Sequence, residues 1–199
     1  MQALATLDAI LAPEWESRYY SFNARWGEGE MMASMRDGLG NQWFAVFSSA
    51  GMALHGLALE SPMFRQGRPW PGIFDQLPSE FRASLLNEPA FDSSHSTFCI
   101  WRLASGGGWR RGAIEFPSGD DPDGSEALLE LLAGRPDQYV RFASEYYEVD
   151  VNDEDVAAIY GHAKLDPDLL ERLNPDVSLE SLADDMAEIG YPGPDFTDS

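Results

Sequence analysis

One cysteine, Cys99, and one lysine, Lys164, occur in 199 residues. A single thiol excludes an intrachain disulfide, and none is needed, because a chain this long can bury roughly 70% of its unfolded surface without a staple. The lone thiol fits a reducing compartment. The first dozen residues, MQALATLDAILA, carry no basic n-region and no small-residue cleavage site, so no signal peptide is expected. No apolar run approaches the ~18 residues of a membrane span. The expectation is a cytoplasmic protein with no membrane partner.

Positive charge is scarce. Thirteen basic residues face 34 acidic ones, for a net charge of −21. The deficit is uneven: from Glu145 to Ser199 there are 16 acidic residues and only two basic ones, Lys164 and Arg172. A field of this sign repels nucleic acid and anionic membranes and attracts basic partners, although an acidic surface also serves solubility alone.

Metal and nucleophile motifs are missing as well. The three histidines, His55, His95 and His162, form no HxH, HExxH or HxxxH arrangement, and Cys99 offers no CxxC, so no metal and no cofactor are expected. His95 and Cys99 share a strand face in this reading, but four residues of strand span ~13 Å, which makes Cys99 a core thiol. Gly119–Gly124 (GDDPDG) places Asp121, Asp123 and Glu130 at three positions of a calcium loop, yet Gly119 stands where the first carboxylate belongs. Ser105–Gly112 (SGGGWRRG) is glycine-rich but runs into another strand, with neither GxGxxG nor GKS/T. With no GxSxG and no kinase set, the reading leans away from an enzyme.

Hydrophobic residues make up 44% and aromatics 12% of the chain, enough for a core. Leu4, Leu7, Ile10 and Leu11 before Pro13 predict a short N-terminal helix. Strands follow over 18–24, Glu30–Asp37, Gln42–Ser49 and Met52–Glu60. Gln42–Ser49 is apolar on both faces, as a central strand requires. One helical turn is expected at Ile73–Leu77, and a helix capped by Ser79 runs through Leu86. Ser96–Leu103 and Trp109–Phe116 predict a strand pair about a glycine tip. Asp123-Gly-Ser-Glu126 reads as a capping box, and helices then begin at Pro136, Asn152, Asp166-Pro167 and Ser178. Strands first and helices later, without βαβ alternation, define an α+β fold: an antiparallel or mixed sheet from the N-terminal two thirds, then a run of short acidic helices. One domain over 1–199 is expected. Within it, residues 1–118 are mainly strands with a helical insertion near 73–87, residues 123–190 are helical, and 193–199 form a loose tail.

Two groups of residues are candidate binding sites. In the run YYSFNARWGEGEMMASMRDG (19–38), Tyr20, Phe22, Met31, Ala33 and Met35 give an apolar face. The opposite face gathers polar groups, with Trp26, Glu28, Glu30 and Arg36 at its rim. In the last helix, Glu180, Asp184, Asp185 and Glu188 are spaced to share a face.

The runs SFNARWGEGEMMASMRDG, FRASLLNEPAF, TFCIWRL, GAIEFP, IYGHAKL and LLERLNPDVSLESLADDMAEIGYP together resemble a family of uncharacterised bacterial cytosolic proteins of similar length, over most of the chain. That resemblance implies no activity and transfers no catalytic residue. In size, acidity and α+β character the chain is also similar to immunity proteins of bacterial toxin systems, such as the SMI1/KNR4-like group. The function expected is protein binding, with the acidic C-terminal helices engaging a basic protein. The alternatives are an accessory protein, marked by an exposed apolar patch at Phe64 and Trp70, and a metal-independent enzyme with a Glu/Arg/Tyr-lined cleft.

Overall fold

A computed structural model describes residues 1–192; the expected tail, 193–199, lies outside the described residues. The fold is α+β. Helix α1 (Gln2–Leu11) precedes four strands, β1 (Tyr20–Gly27), β2 (Glu30–Arg36), β3 (Gln42–Ser48) and β4 (Gly51–Leu57). Helix α2 (Ser79–Leu86), β5 (Phe98–Leu103) and β6 (Arg110–Arg111) follow. Then come α3 (Ser125–Leu129), α4 (Pro136–Tyr146), α5 (Asp153–Tyr160), α6 (Pro167–Leu173) and α7 (Ala183–Ile189). The six strands form one antiparallel sheet in sequence order. Among the described residues no helix is long and apolar enough to cross a membrane.

The chain divides into two compact units: a helical one made of Met1–Ala24 and Leu131–Ser199, and a sheet unit, Arg25–Glu130. One boundary therefore falls within β1.

In the sheet unit, β3 buries Trp43, Phe44, Ala45 and Val46 in succession, as a strand covered on both faces must. One face carries Phe44, Val46, Ala53, Cys99 and Trp101 against Phe81 and Leu85 of α2, with Met63, Ile73, Leu77 and Phe91 from the loops. On the other face the Trp43 indole N–H donates to the Leu128 carbonyl at 3.1 Å. In the helical unit α1 is buried almost along its whole length, and Val156, Ile159, Leu169, Leu170, Met186 and Ile189 complete the core.

Several local expectations change. Residues 71–76 make successive turns rather than a helical turn, and Ser79 is the first residue of α2, its hydroxyl bonded to Glu80 instead of the backbone. The strand expected over Trp109–Phe116 shrinks to Arg110–Arg111. There the Gly112 backbone presses against Gly72, so close that a Cβ on Gly112 would lie 1.8 Å from the Gly72 carbonyl oxygen. The capping box does not form. Asp121, turned back at φ 45°, accepts from the N–H groups of Glu126 and Ala127, while Asp123 accepts from Ser125 N–H. The N-caps of the C-terminal helices are as the sequence predicts: Asn152 Oδ1 accepts from Glu154 N–H at 2.7 Å, and Asp166 Oδ1 from Leu169 N–H at 2.8 Å. Gly190 ends α7 at φ 69°.

Candidate binding surfaces

The middle of the polar side of β2 is covered, while its rim stays at the surface. Met32 and Ser34 are buried along with Ala33 and Met35, because α2 covers the side that the alternation assigned to solvent. Glu30 accepts a 2.6 Å hydrogen bond from the Ser84 hydroxyl of α2. The Arg36 guanidinium lies 5.4 Å from the centre of the Phe44 ring. The Trp26 ring stacks on buried Phe91 at 5.6 Å. Only Glu28, in the tight turn between β1 and β2, is exposed without a contact of this kind. Trp26, Glu30 and Arg36 each make a contact within the sheet unit, while Trp26 and Arg36 remain exposed at its surface. Phe64 and Trp70 form no exposed patch either: Phe64 stacks on His95, and Arg65 stands over Trp70.

The C-terminal acidic group splits. Glu180 lies in a turn ahead of α7, where Ser178 and Ser181 exchange hydrogen bonds (Ser178 N–H to Ser181 Oγ at 2.9 Å, Ser181 N–H to Ser178 Oγ at 3.1 Å) and delay the helix to Ala183. Within α7, Asp184 and Glu188 stand one turn apart and exposed. Glu188 accepts from the Asn23 amide at 3.1 Å. Asp185 turns inward and takes both terminal nitrogens of Arg18, at 2.5 and 2.9 Å. That arginine is anchored further by the carbonyls of Ala12 and Pro13.

The same division runs through the rest of the helical unit. Residues 145–192 hold 14 carboxylates, and 12 of them are exposed. The two exceptions are Asp185 and Asp155, each held by an arginine; Arg172 grips Asp155 through Nε and Nη2, at 3.0 and 2.8 Å. Burial and pairing coincide, as they must when an unpaired buried charge costs several kcal/mol. The other 12 face solvent.

Two buried polar centres escaped the sequence reading. In the helical unit, Asp8 accepts from the Tyr139 hydroxyl at 2.7 Å, from the N–H groups of Tyr19 and Tyr20 at 3.0 and 2.6 Å, and from the Tyr147 hydroxyl. Burial pushes its carboxyl up to about 6, against the opposing pull of these donors. In the sheet unit, His55 faces Cys99 across the β4–β5 ladder. Its Nδ1 lies 2.8 Å from the Ser96 hydroxyl, which itself donates to the Ser93 carbonyl at 2.9 Å. Nδ1 therefore carries the proton, and Nε2 is left as a buried acceptor with no partner among the described residues. Burial pushes His55 down to about 4 and the Cys99 thiol far up. Both centres are closed to solvent, and their chemistry is that of fasteners. A lone aspartate in an apolar helix and a lone histidine in an apolar strand were the only signals available. Among the described residues no three histidine, cysteine or carboxylate side chains converge to hold a metal ion.

The chain matches no family model, no curated protein and no solved structure.

Proposed function

We propose that this chain is a binding protein whose acidic helical unit docks a cationic protein, in the manner of immunity proteins that cover the basic surface of a toxin domain. The observation that carries the reading is the division of carboxylates just described. Between residues 145 and 192, the two carboxylates that are not exposed, Asp155 and Asp185, are each held by an arginine, and the other 12 are exposed. A field of one sign accelerates encounter and sets orientation, so such a surface acts chiefly through the association rate. Asp184 and Glu188 of α7 belong to it, as does Glu180 in the preceding turn.

The test compares the protein with a variant in which Asp153, Glu154, Asp168, Glu171, Asp184 and Glu188 become asparagine or glutamine. Both serve as bait in a lysate of the native cells at low salt. Capture of a cationic protein by the native chain, lost in the variant and at ~0.5 M salt, supports the reading. Equal capture by both, or no cationic protein on either, overturns it.

A further inference from the structure

We propose that a groove beside Trp70 in the sheet unit binds a small zwitterion, a free amino acid carrying a second positive charge on its side chain. The groove, open to solvent along one side, offers about 420 Å³, within the range of small-molecule sites. Three charged residues line it, Arg65, Asp75 and Glu115, together with Trp70.

The walls are stiff. Trp70 donates its indole N–H to the Glu115 carbonyl at 3.2 Å, and its backbone N–H to the Ser96 carbonyl at 3.4 Å. Behind it the chain turns at Gly72, with φ 83°. A Cβ there would lie 2.1 Å from the Ala113 carbonyl oxygen, so the segments about residues 72 and 113 meet backbone to backbone.

The charges are uncommitted. Arg65 stands over Trp70 with its guanidinium carbon 4.3 Å from the ring centre. Among the described residues, neither that guanidinium nor the carboxylates of Asp75 and Glu115 has a hydrogen-bond or ion-pair partner, and they do not pair with one another. Several other cations are engaged: Arg82 in this unit with the Phe74 and Leu77 carbonyls, and Arg18, Arg135 and Arg172 with carboxylates. Opposite charges lining one groove and held apart define a complementary ligand. A guanidinium stacked on an indole keeps its N–H fork free for a carboxylate. Asp75 and Glu115 then call for two positive groups, the α-ammonium and a side-chain cation. The lining totals −1, which a free arginine or lysine at +1 neutralises.

The test is a titration of the native protein with L-arginine, followed by NMR at the Trp70 indole N–H and the Gly72 and Ala113 amides. It is repeated with agmatine, which lacks the carboxylate, and with Nα-acetyl-L-arginine, which lacks the α-ammonium. The groove predicts saturable shifts at those three positions, with each analogue at least tenfold weaker than L-arginine. Arg65→Gln should erase the preference over agmatine, and Asp75→Asn or Glu115→Gln should weaken L-arginine about tenfold. Cations held loosely by the acidic surface would show the reverse order, agmatine ahead of L-arginine. That order, or saturation without shifts at these positions, overturns the proposal.

Discussion

The hydroxyl of Tyr139 donates a 2.7 Å hydrogen bond to Oδ1 of Asp8, joining α4 to α1 across 131 residues of sequence. With the two backbone N–H groups and Tyr147, the carboxylate ties α1, the start of β1 and α4 together. Asp8→Asn turns an amide N–H₂ toward donors and should cost about 2–4 kcal/mol, read from urea unfolding at pH 7.

Asp8 also sets a pH dependence. Its folded value, about 6, lies above the ordinary 3.8, so its contribution is fully present below pH ~4 and is lost as pH rises through 6. The stability of the native chain relative to Asp8→Asn should fall by about 2.4 kcal/mol between pH 4 and 7. A pH-independent difference would contradict this account.

His55 acts in the opposite direction. Its folded value, about 4, lies below the ordinary 6.5, so its contribution is present above pH 6.5 and lost as pH falls toward 4. Between pH 6.5 and 4.5, amide protection, the exchange rate relative to its intrinsic value at each pH, should rise around Asp8 and fall around His55. A parallel response at both places would show that one of these groups titrates normally.

Adjacent carboxylates in α7 should behave differently. Asp185→Asn breaks a two-pronged contact to an arginine whose side chain is only 8% exposed, at a cost of about 1–3 kcal/mol. Asp184→Asn, on the exposed side, should stay within about 0.5 kcal/mol of the native chain. Thermal unfolding of the two variants measures the contrast.

Gly72→Ala meets the Ala113 carbonyl at a positive φ and should destabilise the sheet unit by about 3 kcal/mol or more, read from urea unfolding. Gly108→Ala, where a Cβ has open space, should be neutral to about 0.5 kcal/mol. The same chemical change thus separates a close approach from a loop tip.

What the sequence makes legible follows from how local each signal is. Asn152, Asp166-Pro167 and Gly190 act within three or four residues, and their caps are as expected. The unbroken apolar run of β3 carries its own evidence of two covered faces. Glu30 and Ser34 mislead because alternation states which residues share a side and not whether a helix will lie on it; α2, some 50 residues on, decides that. Glu180 misleads because the Ser178–Ser181 exchange competes with helix formation. Asp8 is invisible because its partners at Tyr139 and Tyr147 come from the other end of the chain.

The helical unit is assembled from two pieces of sequence with Arg25–Glu130 between them. During synthesis the sheet unit, being continuous, leaves the ribosome complete while α1 still lacks the helices that will bury it. Until α4 emerges, the apolar side chains of α1 and the Asp8 carboxylate must remain exposed together, and a nascent chain halted near residue 130 would display that helix as a ready target for chaperones.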